Sequence, residues 1–164
     1  GGGLSEYLVI PAWQIIRMPH DVDMRHAALT EPLACCIHSI RKARLKFGDT
    51  VVIIGMGIMG YFHVKLAQMC GARIIVSETD EEKRKTAIRE GAAYAFDPSQ
   101  CDVGEEIRRL TDGLGADAVI NTIPFKKVWQ QAIDMLAPYG RLIAYSSQNS
   151  KEPIGVDFGT EKLD

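Results

Sequence analysis

Residues 51–60 read VVIIGMGIMG, a β-branched run that breaks into Gly55, Gly57 and Gly60 and passes into a helical pattern over 61–70. The run suits a strand buried on both faces. Gly55 allows a turn tight enough to start a helix at once, Gly57 leaves a ligand free to approach backbone with no Cβ in the way, and Gly60 permits close packing of helix on strand. The helix start, with Ile58 and Met59 in its first turn, presents amide hydrogens that have no intrahelical acceptor, which suits an anion. A cradle for a pyrophosphate is expected. The glycine spacing alone is weak, so the flanks decide. They agree: a strand before, a helix after, then a second strand over 73–77 followed by an acid, Glu78, about 20 residues past the turn.

At a strand tip, the Glu78 carboxylate can accept both ribose hydroxyls of an adenosine, and its charge repels a phosphate on the 2′ oxygen. NAD is therefore expected over NADP. The plainer reading makes Glu78 an acid at a helix start, favoured by the dipole. Thr79 or Asp80 can already cap that helix, and Thr79 with Glu82 fits a capping box. Lys83 lies one helical turn beyond Glu78 and can reach the same ribose, although the run EEKRK over 81–85 also reads as a solvated face.

Bulk composition narrows the function classes. A chain of 164 residues fits one well-buried core, and 46% hydrophobic with 24% charged residues is ordinary for a globular protein. A net charge of -2 gives no electrostatic reason for nucleic acid or an anionic membrane as partner. No apolar stretch approaches the ~18 residues of a membrane span, and GGGLSEY at the start lacks the regions of a secretory signal. Cys35, Cys36, Cys70 and Cys101 show no framework spacing. Reduced thiols in a cytoplasmic protein are expected.

Outward from the glycine turn, Leu4 to Pro11 alternates enough for a strand, and the chain is then irregular to Thr30, with Pro11 and Pro19 as breakers. A helix is predicted from about Pro32, a favoured first-turn proline, to a stop at Gly48. A βαβ series follows: strand 51–54, helix 58–70, strand 73–77, helix 81–90, strand 93–96, helix 103–111, strand 118–122, helix 126–136 and strand 141–145. Five strands separated by helices imply an α/β fold, a doubly wound parallel sheet of Rossmann type with helices on both faces. Residues 1–30 are expected to be a residual strand and linker, and 31–164 the nucleotide-binding domain. A sixth strand does not emerge after Pro153.

Together GGGLSEYLVIPA, EPLACCIHSIRKARLKFGDTVVIIGMGIMG, Glu78 and LAPYGRLIAYSS resemble the coenzyme half of the zinc-dependent medium-chain dehydrogenases, most of all the sorbitol and threonine dehydrogenase branch. The similarity runs over nearly the whole chain. It implies an oxidoreductase passing hydride between a secondary alcohol or polyol and NAD, with a zinc ion that polarises the alcohol oxygen. The family's catalytic domain carries a cysteine and a His-Glu pair for that zinc, and often a four-cysteine lobe. Neither pattern occurs here: there is no HE dipeptide and no C-x-x-C spacing. The expectation is a partial coenzyme domain that binds dinucleotide without turnover, and no metal ligands are assigned. The family often pairs through the terminal strand of this sheet, so self-association at the sheet edge is also open.

Carried over by residue, the resemblance puts Gly55, Gly57, Ile58, Met59 and Gly60 on the pyrophosphate turn, Glu78 on the ribose acid and Lys83 on a ribose-contacting basic position. It puts Thr122, Ile123, Ala144, Tyr145 and Ser146 at strand ends facing the nicotinamide, where Pro124 and Tyr145 depart from the glycines common in the family. Glu31 matches a carboxylate that ligates zinc or hydrogen-bonds zinc-bound water in the intact enzyme. Read from its position alone, Glu31 is a first-turn helix acid. Helical spacing brings Glu31, Cys35 and His38 near one face, but Cys35 is expected as a small apolar filler and His38 as a partly buried core residue. His20, His26 and His63 have no partner by spacing. Two other functions compete: a regulatory nucleotide-binding module and a methyltransferase-like domain. Gly60 and the helix ahead of the first strand argue against the latter.

Overall fold

The computed structural model describes residues 5–146. Residues 1–31 and 32–164 form two compact units. In the first lie a short 3-10 turn, Ala12–Gln14, and a one-turn helix α1, Met24–Ala27, capped by the Asp23 side chain on the Arg25 amide. The strand expected over 4–11 is not formed across residues 5–11, where Tyr7, Leu8 and Val9 are all exposed. Alternation alone does not make a strand; a hydrogen-bonded neighbour does.

Helix α2 spans Thr30–Ala43 and ends where Arg44 turns left-handed at φ +49°. Gly48, the expected stop, instead serves the turn into the sheet. The series then runs β1 Thr50–Ile54, α3 Ile58–Met69, β2 Arg73–Ser77, α4 Glu81–Arg89, β3 Tyr94–Phe96, α5 Val103–Leu110, β4 Ala116–Asn121, α6 Lys126–Asp134 and β5 Leu136–Ala144. All strand pairs are parallel, in the order β3-β2-β1-β4-β5.

Strand alternation divides the core in two. Val51, Ile53, Ile74, Val76 and Ile120 meet Ile40 and Ala43 of α2, Val64 and Ala67 of α3 and Ala87 of α4. Val52, Ile54, Ile75 and Val119 meet Val103 and Ile107 of α5 and Val128 and Ala132 of α6. An irregularity between Ala116 and Ala118 interrupts the alternation, so these two even-numbered residues face opposite layers. It also lets β5 begin at Leu136, five positions before the expected start. Pro138 and Gly140 read as breakers in sequence, yet an edge strand tolerates them. The order reverses between β1 and β4, so the strand ends Ile54, Ser77, Phe96, Asn121 and Ala144 share one rim at the switch point where open α/β sheets bind ligands.

Candidate coenzyme site

The turn from β1 to α3 is built by contacts that exclude side chains. Gly55 holds φ +91°, and its amide donates to the Ser77 carbonyl at 2.8 Å. A Cβ there would lie 2.7 Å from Thr122 Oγ1, which itself donates to the Ile54 carbonyl at 2.7 Å. A Cβ on Gly60 would collide with the Gly55 carbonyl oxygen. Gly57 differs: a Cβ there would meet nothing within 4 Å. The fold requires the first and third glycines, whereas the second leaves open a space the protein does not fill. Gly57 is also the N-cap of α3 and supplies no side-chain acceptor, while Asp80 and Asp102 cap α4 and α5. The amides of Ile58, Met59 and Gly60 therefore face the positive end of a helix dipole without an i−4 acceptor.

Across the rim, Glu78 follows β2. Its Oε2 accepts from the Met56 amide in the glycine turn at 2.7 Å; Oε1 accepts from the Asp80 amide at 3.0 Å and the Thr79 hydroxyl at 3.3 Å. Burial alone would raise the Glu78 pKa. The Asp80 and Met56 amides, the Lys83 charge and the Thr79 hydroxyl outweigh it and hold the carboxyl below its ordinary range. Between Thr79 and Asp80, the structure makes Asp80 the cap, its Oδ1 accepting from the Lys83 amide at 3.0 Å. The Lys83 side chain is exposed in the first turn of α4.

The far strand ends are tied to one another. Asn121 Oδ1 accepts from the Ile123 amide at 3.0 Å, and its carbonyl accepts from the Tyr145 and Ser146 amides at 3.2 and 3.1 Å. Ser146 Oγ donates to the Ile123 carbonyl at 3.0 Å. Ala144 is exposed. The Tyr145 hydroxyl lies 3.3 Å from Met59 Sδ and 3.5 Å from Cys36 Sγ, and its ring stands edge-on to His63 at 4.8 Å between centroids. That ring is part of the packing beneath the α3 N-terminus.

A cleft of about 310 Å³ opens along the rim. Glu78 and Thr79 line it beside Ile54 and Ser77, Pro98 and Ser99 follow from beyond β3, and Ile123, Phe125 and Lys127 from beyond β4. It joins Glu78 to Ile123, two residues expected from sequence, and adds Ser99, Phe125 and Lys127, which sequence reading missed. Their position just past strand tips was the available signal. A larger cleft of about 450 Å³ between α5 and α6 shares Pro98, Gln131 and Met135 with it but holds none of the residues expected from sequence.

Glu31 lies exposed in the first turn of α2. Cys35 and His38 are exposed too, contrary to the expected filler and core roles; it is Cys36 that is fully buried, one step around the helix. His63, given no role from sequence, is fully buried. Its Nδ1 meets the Met59 carbonyl at 2.7 Å and its Nε2 the Ser39 hydroxyl at 2.8 Å. A carbonyl only accepts, so Nδ1 carries the proton, and Nε2 accepts from Ser39. Among the described residues no three His, Cys, Asp or Glu side chains are grouped to hold a metal ion.

Residues 55–161 match the family model described as zinc-binding dehydrogenase. The chain is 34% identical over 142 residues to a sorbitol dehydrogenase of Halalkalibacterium halodurans, covering 85% of this chain and 41% of that protein. It is 32% identical over 142 residues to an L-threonine 3-dehydrogenase of Pyrococcus furiosus, with 86% and 40% covered. A solved structure from Sinorhizobium meliloti 1021, assigned as a zinc-binding dehydrogenase and bound to NADP, superposes with a TM-score of 0.84 at 32% identity, covering 93% of this chain and 45% of that one. The chain thus spans less than half the length of the curated relatives it matches. With its all-parallel sheet, glycine turn and strand-tip acid, the chain belongs to the zinc-binding dehydrogenase family.

Proposed function

We propose that this chain is the coenzyme-binding part of an oxidoreductase that moves hydride between NAD and a secondary alcohol or polyol. The observation that carries this reading is the bare N-terminus of α3, with open space over Gly57, beside a carboxylate held by the same turn through the Met56 amide. Both features fit a dinucleotide. The amides of Ile58, Met59 and Gly60 receive the diphosphate, and Glu78, assisted by Lys83, receives the ribose hydroxyls. Phe125 offers an apolar wall of the cleft to the adenine. Thr122, Ile123, Ala144 and Ser146 border the nicotinamide, with Tyr145 supporting from behind. When bound, the coenzyme supplies the ring that accepts or returns hydride.

The polyol and amino-alcohol dehydrogenases among the relatives support the substrate class. Among the described residues no three His, Cys, Asp or Glu side chains are grouped to hold a catalytic zinc. In the whole protein, Glu31 serves as a carboxylate of the metal's surroundings, residues 1–30 link to a catalytic domain, residues 31–164 hold the coenzyme, and the protein works in the cytoplasm, with the sheet edge available for self-association.

NAD is preferred over NADP because a 2′-phosphate would meet an ionised Glu78, and like-charge juxtaposition costs several kcal/mol. Fluorescence titration with NADH and NADPH tests this. Wild type should favour NADH by at least about tenfold, since 1.4 kcal/mol already gives that ratio, and Glu78→Ala should erase most of the difference. Tighter binding of NADPH by the wild type would contradict the assignment.

A further inference from the structure

We propose that Arg84 and Asp97 form a positioning pair that fixes the two sides of the adenosine cleft and so sets its coenzyme preference. This rests on the coenzyme reading above. Arg84 Nη1 donates to the carbonyls of Glu78 at 2.8 Å and Thr79 at 2.6 Å, and pairs with Asp97 Oδ2 at 3.0 Å. One cation therefore holds the backbone that carries the ribose acid and reaches across to the next strand end. On that side, Asp97 Oδ1 accepts from the Ser99 amide at 2.9 Å and the Ser99 hydroxyl at 2.6 Å, which fixes the turn by which Pro98 and Ser99 line the cleft.

The remaining ties along this wall are backbone hydrogen bonds, among them those from the Gln100 and Cys101 amides to the Asp97 carbonyl at 3.0 and 3.2 Å. β3 is a three-residue edge strand with no fully buried residue, and the bond from the Glu78 amide to the Phe96 carbonyl at 3.0 Å is where β2 and β3 part. The pair also differs from the ion pairs of Lys85 on the same helix. Lys85 with Glu81 and Glu82 is more than half exposed on every partner, the kind of pair that contributes little. Arg84 and Asp97 are only 20% and 15% exposed. All three contacts are made at Nη1, which the planar guanidinium holds in one direction, whereas a lysine in its place offers a point charge on a flexible stem.

The test measures NADH and NADPH affinity and thermal unfolding for wild type, Arg84→Gln, Arg84→Lys, Asp97→Asn and the double variant Arg84→Gln/Asp97→Asn. Each neutral variant should weaken NADH about tenfold, the scale of a charge-assisted hydrogen bond lost at a ligand wall. NADPH should weaken less, because a displaced Glu78 repels its phosphate less, so the ratio of the two affinities narrows. The double variant should be no worse than either single one, and Arg84→Lys should fall between wild type and Arg84→Gln. Should Arg84→Gln fail to fold, Asp97→Asn and Arg84→Lys carry the comparison. An unchanged affinity ratio in folded variants, including an equal loss of both coenzymes alongside lowered thermal stability, would overturn the positioning role while leaving the coenzyme site standing. A wild type that binds neither coenzyme would overturn the coenzyme reading itself and this pair's role with it.

Discussion

A methyl group added at Gly57 and one added at Gly60 should have opposite consequences. At Gly60 it strikes the Gly55 carbonyl, so Gly60→Ala should lose about 1–3 kcal/mol of stability through overpacking, read as a lowered denaturant midpoint. At Gly57 it enters open space, so Gly57→Ala should change stability by less than about 1 kcal/mol, the scale of an altered N-cap, yet weaken NADH at least about tenfold. Equal effects of the two substitutions on stability would contradict the division of roles. His63 yields a pH prediction. Burial depresses its pKa below the ordinary 6.5, so the unfolded chain takes up a proton that the folded one resists. Stability should be insensitive to this group above about pH 6.5 and fall below it, by up to about 1.4 kcal/mol per pH unit. His63→Gln should remove that part of the slope in urea midpoints measured from pH 5 to 8; an unchanged slope would exclude His63 as its source. Glu78 and the three glycines were legible because a spacing fixed their place in a turn. His63 was not, because its partners Ser39 and Tyr145 come from α2 and the end of β5, and no local pattern brings those together.

Among the elements, helix starts were more legible than helix ends. Asp80 and Asp102 stand where a capping side chain is needed, and Asp80→Ala should cost about 1 kcal/mol, seen as a fall in melting temperature, with no effect if Thr79 takes over the cap. Ends depend on backbone choices that composition conceals. Helix α2 stops because Arg44 turns left-handed, although Gly48 was the stronger stop in sequence. Strand β5 starts early because it carries extra residues between Leu136 and Arg141, opposite Ala116 and Ala118 of β4, a pairing effect invisible in either strand alone. The segment over 5–11 shows the converse: an alternating pattern that is not a strand in the structure.

For the molecule as a whole, the alternation of strands and helices was enough to specify a doubly wound sheet, and the observed order places β1 and β4 on either side of the reversal. That topology gathers residues distant in sequence, Glu78 and Ile123 among them, on one rim. The glycine turn and strand-tip acid could be found from the chain because both lie within one βαβ unit. Ser99 and Phe125 lie just past strand tips and Lys127 in the first turn of α6, a signal that becomes specific only once the sheet order brings these segments to one cleft. The central claim is that a dinucleotide rests its diphosphate on the first turn of α3 and its adenosine ribose on Glu78. The most direct test is a crystal structure of the protein soaked with NADH. Diphosphate oxygens within hydrogen-bond distance of the amides around Gly57–Gly60, with the ribose hydroxyls on the Glu78 carboxylate, are expected; an empty turn, or the dinucleotide bound in the cleft between α5 and α6, would contradict it.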